Sequence, residues 1–207
     1  LEMGGTADIQ LTDEDGLTLT GLGVGGNATI GTTGADLVLL TAPDVDGVLS
    51  LTTTTSGDLV IDDDDLMHGG GLIIVARNIR NSDDSTITLG ATNADITLRD
   101  GGQAQTWNTS FTQLALQIAG AGDFDLTDTD GLTLTAVSTG GNASFRTTGA
   151  DLVLNSTPDV DGALTLATVG SGDVVIPNGG LQHTDELTIT ADNLRDSDAD
   201  LRLSATT

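Results

Sequence analysis

The chain has 207 residues and a formal charge of −25, from 31 acidic and 6 basic side chains; Tyr and Cys are absent, and Phe and Trp together number four. Without Cys there is no disulfide framework and no thiolate metal site. The acidic balance argues against nucleic acid and anionic membrane surfaces, both of which select clustered Lys and Arg, and no run of 18 apolar residues is present to span a membrane.

From the N-terminus onward the hydrophobic period is two. Leu17-Thr18-Leu19-Thr20, Ile87-Thr88-Leu89, Ile96-Thr97-Leu98, Leu132-Thr133-Leu134-Thr135 and Leu164-Thr165-Leu166 all alternate. That pattern predicts short strands with one face buried and β-branched Thr on the other. The strands fall near residues 8–12, 16–20, 27–31, 36–40, 47–52, 58–61, 72–76, 86–90 and 95–99. They resume near 123–127, 131–135, 142–146, 151–155, 162–167, 173–176, 186–190 and 200–204. Between them lie DEDG, GVGG, PDVDG, TTSG and NSDDS, sequences suited to tight turns. Residues 62–71 and 177–186 read as exposed loops. The stretch 103–116 is the one place whose pattern leaves room for a helix.

Residues 8–83 align with 123–198 at a constant offset of 115 without a gap, and 44 of those 76 positions are identical. A repeat of this kind is a structural instruction: one unit is expected to stack or string against its copy. Residues 1–121 are expected to form a first repeat unit and 122–207 a second, incomplete one that continues the same fold. The opening Leu-Glu-Met-Gly-Gly reads as part of something longer.

Strand centres every 8–13 residues fit two all-β architectures, a parallel β-helix (β-solenoid) or tandem antiparallel β-sandwiches. Three features favour the solenoid. Aromatic residues, which sandwiches bury, are almost missing. A corner-plus-strand module, small-x-Asp-apolar-x-apolar, recurs at Gly34–Leu39, Gly57–Ile61 and Asn93–Leu98. Glycine at the corners permits the sharp bends that coiling needs. About ten coils at the strand spacing of ~4.8 Å would make a rod of roughly 50 Å.

DxDG occurs four times, at Asp13/Asp15, Asp44/Asp46, Asp128/Asp130 and Asp159/Asp161. Paired carboxylates at a turn are candidate calcium ligands. The competing reading is an Asp-rich turn whose carboxylates bond nearby amides, and it is favoured because the full EF-hand pattern and the calcium-binding β-roll nonapeptide are both missing. Asp62–Asp65 has no acidic counterpart in the second copy and reads as solvated loop. His68 and His183 are equivalent, and each reads as polar surface. No nucleophile elbow, zinc-protease helix or P-loop motif occurs, so no catalytic residue is assigned and the chain is not expected to be an enzyme.

The stretches GGNATIGTTGADLVL (25–39) and GGNASFRTTGADLVL (140–154), with GLTLT and GDLVI, resemble the repeat regions of filamentous-haemagglutinin-like adhesins. The resemblance implies a right-handed parallel β-helix. It further implies a shaft segment of a secreted or bacterial cell-surface fibre exported by two-partner secretion. Its partners would be neighbouring repeats of the same chain, other copies in self-associated fibres, and host or matrix glycans reached through other parts of such a protein. No functional residue carries over. A calcium-stiffened sandwich stalk and a carbohydrate-binding or carbohydrate-cleaving β-helix remain the alternatives.

Overall fold

Alternating Leu and Thr builds strands, and glycine corners return the chain to the same line about twenty residues later. The computed structural model describes residues 2–3, 6–62, 65–82, 86–177, 179–196 and 201–205. It is all-β without a helix, and its strands stack in parallel as a β-solenoid of about nine turns among those residues. The antiparallel sandwich alternative is therefore set aside: every described strand pairing is parallel.

By compactness the chain divides into Leu1–Asp100 and Gly101–Thr207, so residues 101–121 fall with the second unit. The first unit contains β1 (Glu2–Met3), β2 (Ile9–Asp13), β3 (Leu17–Leu19), β4 (Gly23–Val24), β5 (Ala28–Thr32), β6 (Leu37–Leu39), β7 (Asp44–Val45), β8 (Leu49–Thr53), β9 (Leu59–Ile61), β10 (Asp65–Met67), β11 (Gly71–Ala76), β12 (Ile79–Asn81) and β13 (Ile87–Leu98). The second contains β14 (Gln105–Ile118), β15 (Phe124–Asp128), β16 (Leu132–Thr139), β17 (Ala143–Thr148), β18 (Leu152–Leu154), β19 (Asp159–Val160), β20 (Leu164–Val169), β21 (Asp173–Ile176), β22 (Leu181–His183), β23 (Leu187–Thr190), β24 (Asn193–Asp196) and β25 (Leu203–Ala205).

Register shows how the repeat is wound. In the first unit Ile9 faces Ala28, which faces Leu49, then Leu72, then Ala94; these are steps of 19, 21, 23 and 22 residues. In the second, Phe124, Ala143, Leu164 and Leu187 follow with the same first three steps of 19, 21 and 23. Coils of unequal length explain why the sequence repeats clearly at 115 residues and only faintly at one coil. A parallel row two residues on, Leu11-Ile30-Leu51-Ile74-Ile96, is matched by Leu126-Phe145-Leu166-Ile189. These inward rows are the core. Ala28, Leu49, Leu72, Ile30 and Ile74 are all fully buried, and each large aliphatic so buried contributes ~1.5–3 kcal/mol.

Corners are closed by inward polar side chains. Thr32 and Thr147 donate their hydroxyls to the carbonyls of Ala35 and Ala150, both at 2.6 Å. Thr53 and Thr168 do the same to Gly57 and Gly172. Those two glycines are obligatory for space, because a Cβ at either would sit 2.2 Å from the carbonyl oxygen of Ala35 or Ala150 in the previous coil.

Several expectations change. The stretch 103–116 is not helical; from Gln105 onward it lies in β14, whose alternation carries Trp107, Thr109 and Phe111 inward. The supposed loops at 62–71 and 177–186 contain β10 and β22. The strands near 86–90 and 95–99 are one continuous strand, β13. The two-residue strands β4, β7 and β19 were too short to leave a periodic signal. Asp63 and Asp64 of the acidic run, and residues 83–85 of NSDDS, lie outside the described residues.

Candidate functional site

The most chemically distinctive side chains are the corner carboxylates. Asp13 ends β2 in register with Thr32 of the next coil, so it occupies the corner-closing position. There it works with the opposite polarity: its Oδ1 accepts the amides of Asp15 and Gly16, both at 2.9 Å. Asp128 repeats this with Asp130 and Gly131 at 3.0 and 2.9 Å. Its Oδ2 additionally accepts the Thr109 hydroxyl and the Phe111 amide, both at 2.8 Å, and the residue is fully buried. The final Gly of each motif has φ near +120°, a backbone state that an L side chain resists. Asp15 and Asp130 are exposed beside these turns.

The other two DxDG motifs are built differently. In Asp44-Val45-Asp46 and Asp159-Val160-Asp161 the valine points inward and both aspartates outward. Backbone bonds hold them, from the amides of Asp46 and Asp161 to the carbonyls of Val24 and Thr139 at 3.0 Å. Asp159 and Asp161 border a shallow cleft of about 410 Å³ with Ser138 and Thr139. Of the eight candidate calcium ligands, each motif keeps its own pair. Among the described residues no group of three or more His, Asp or Glu is arranged to hold a metal.

Two polar ladders run coil to coil and account for the repeated GGNA and GAD sequences. Asp8 Oδ1 accepts the Asn27 amide at 2.7 Å, and Asn27 Oδ1 accepts the Val48 amide at 2.8 Å. In the second unit Asp123 accepts from both the backbone and the side-chain amide of Asn142, whose Oδ1 accepts the Ala163 amide. Asp36 and Asp151 accept the amides of Asp58 and Asp173 at 2.9 and 2.8 Å. Each rung satisfies a backbone donor that the corner would otherwise strand.

On the second ladder sits a charge cluster that sequence reading missed. Arg77 binds Asp58 in bidentate fashion, Nε to Oδ1 and Nη2 to Oδ2, both at 2.8 Å. Arg80 reaches the same carboxylate at 3.2 Å and Asp36 at 2.8 Å. Burial works to raise the Asp58 pKa, but the hydrogen bonds and charge of Arg77, then of Arg80, outweigh it and hold the carboxyl below its usual range. Asp58 in turn raises the Arg77 pKa. A signal was available: 58 and 77 differ by one coil length, and the chain has only six basic residues. One repeat later Asp173 takes the place of Asp58 and is met by Asn193 at 2.7 Å and by Arg195. The place of Arg77 is taken by Asp192, whose amide bonds the Gly172 carbonyl as that of Arg77 bonds Gly57. Asp130, Asp151, Asp173 and Asp192 therefore line an acidic open groove of about 640 Å³ with Arg195.

Both histidines are buried rather than on the polar surface. Leu66 and Leu181 point inward, and two residues later so do His68 and His183, at 7% and 5% exposure. His68 Nε2 donates to the Gly47 carbonyl at 2.9 Å. Trp107, Phe111, Phe124 and Phe145 are all core residues of the second unit. Trp107 meets Phe124 edge-on at 4.9 Å, and Phe124 meets Phe145 at 5.6 Å. A further cleft of about 430 Å³ on this unit is lined by small and polar residues including Asp123, Asn142 and Glu186.

No family model, no curated protein and no solved structure matches the chain.

Proposed function

We propose that the chain is a segment of an acidic β-solenoid shaft, from a bacterial cell-surface adhesin or an extracellular filament, and that its work is mechanical. One observation carries this reading. Repeated carboxylates are used to join one coil to the next: Asp8, Asp36, Asp123 and Asp151 accept amides of the following coil, and Asp58 binds Arg77 and Arg80. All four aromatic side chains are likewise in the core, which removes them as stacking platforms for sugar rings and weakens the carbohydrate-active alternative. The exposed carboxylates keep the surface soluble and mutually repelling.

The test is antibody binding to intact, unpermeabilised cells that make the full-length protein. Binding at the surface, or recovery of the protein from the medium, is expected. Retention inside the cell, with binding only after permeabilisation, would overturn the reading. Turnover or retention of any member of a glycan panel by the purified chain would favour the carbohydrate-active reading instead.

A further inference from the structure

One copy of the repeat holds a cation that the other copy has exchanged for an anion. The first unit carries Asp15, Asp36, Asp58, Arg77 and Arg80; at the positions 115 residues on, the second carries Asp130, Asp151, Asp173, Asp192 and Arg195. Three carboxylates against two guanidiniums have become four against one. The exchange of Arg77 for Asp192 makes the whole difference. It does not depend on any coil beyond these residues. Both cations on Asp58 come from positions 77 and 80, whose counterparts 192 and 195 lie in the second unit itself. The coil after Arg77 contributes Arg99, and that guanidinium goes to the Thr53 carbonyl instead.

The first unit shows what these carboxylates bind. Asp58 takes the Arg77 guanidinium on both oxygens at 2.8 Å, and Asp36 takes that of Arg80 at 2.8 Å. In the second unit Asp173 is equally buried and keeps Arg195 and Asn193. Those two use one bond each of a carboxylate that can accept about four. Asp151 accepts the Asp173 amide, and no cation is paired with it among the described residues. The Asp192 carboxylate has no partner among them either. All of these side chains line the open groove of about 640 Å³.

We infer that this groove takes an arginine side chain of another protein, its guanidinium seated on Asp173 as that of Arg77 is seated on Asp58, with Asp151 and Asp192 beside it. The planar fork of a guanidinium matches a carboxylate through two parallel bonds, which the ammonium of lysine cannot make. A bare metal ion fits less well, because among the described residues no three acidic side chains are arranged to hold one. This inference goes beyond the shaft reading and stands without it, since it concerns the purified chain wherever the protein resides.

Titration of the purified, isotope-labelled chain with a capped Gly-Arg-Gly peptide tests it, followed by the shifts of backbone amide resonances. At about 0.1 M NaCl the screening length is ~10 Å, so carboxylates elsewhere on the chain contribute little. The amides of Asp173 and Asp192 are expected to move saturably while those of Asp36 and Asp58 stay in place. The capped Gly-Lys-Gly peptide is expected to bind at least about threefold more weakly, having lost the two-bond fork. Asp192→Arg supplies the fork from within the chain and is expected to abolish binding. Arg77→Asp gives the first unit the charges of the second, and is expected to make the Asp36 and Asp58 amides respond as well. Should that variant fail to fold, Asp192→Arg still decides. No saturable shift at Asp173 and Asp192 overturns the inference. So do equal responses of the two units in the parent chain, equal affinity for the arginine and lysine peptides, or binding that survives Asp192→Arg.

Discussion

Asp58 and Asp173 hold equivalent places in the two copies but are neutralised differently. Asp58 has two arginines, and Asp173 has one arginine and an amide. Because the folded pKa of Asp58 lies below its ordinary value of 3.8, the clasp stabilises fully above that value and is lost as pH falls through the lower folded one. Melting temperatures measured from about pH 6 to about pH 2 should therefore fall less steeply in Arg77→Ala than in the parent. At neutral pH the substitution should cost about 1 kcal/mol, well short of a fully buried pair, because Arg77 is 39% exposed. The converse change, Asp192→Arg, offers the second copy the missing fork. It should raise the melting temperature, and Asp173→Asn in the same background should cancel the gain. The two corner aspartates also differ in depth. Asp13→Ala should cost about 1 kcal/mol, and Asp128→Ala about 1–3 kcal/mol, because the second strands a buried amide and hydroxyl. Chemical denaturation of the two variants checks the order.

At the level of the strand, inward and outward positions should respond in opposite ways. Leu51 is buried between Ile30 and Ile74 in its row, and Leu51→Ala should cost about 2–5 kcal/mol. Thr18→Asp, on the exposed side of β3, should change stability by less than about 0.5 kcal/mol. Period-two alternation made most strands legible, because a strand's faces are set by neighbours two residues away. It fails where the strand is too short to alternate, as in β4 and β7. It misleads in β14, where polar Gln105 and Thr109 take inward positions among Trp107 and Phe111. His68 could have been read correctly, since Leu66-Met67-His68 alternates like every other strand. Histidine's polar ring favours the surface unless a partner satisfies it, and here the Gly47 carbonyl, a coil away, does so.

Taken whole, the chain is a stack of nearest-neighbour contacts, so stability should grade from covered coils to uncovered ones. Amide exchange is expected to be fastest in β23, β24 and β25, where Leu187 and Ile189 are half-buried and Leu203 is nearly half exposed, and slower in β17 and β20. Equal protection along the second unit would contradict this picture. A charge of −25 also repels itself, and added salt should raise the melting temperature through screening.

Sequence alone determined what local chemistry controls: strands with one wet face, corners that demand glycine, aspartates that bind the next amides, and a unit that is copied. It could not place Asp58 against Arg77, Asp128 under Phe111, or His68 against Gly47. Those pairs lie 17 to 21 residues apart in the chain. Coil lengths vary from 19 to 23 residues, so no fixed spacing predicts who meets whom. Register between coils is a tertiary quantity, set by how the inward rows pack, and the charge pairs follow from it.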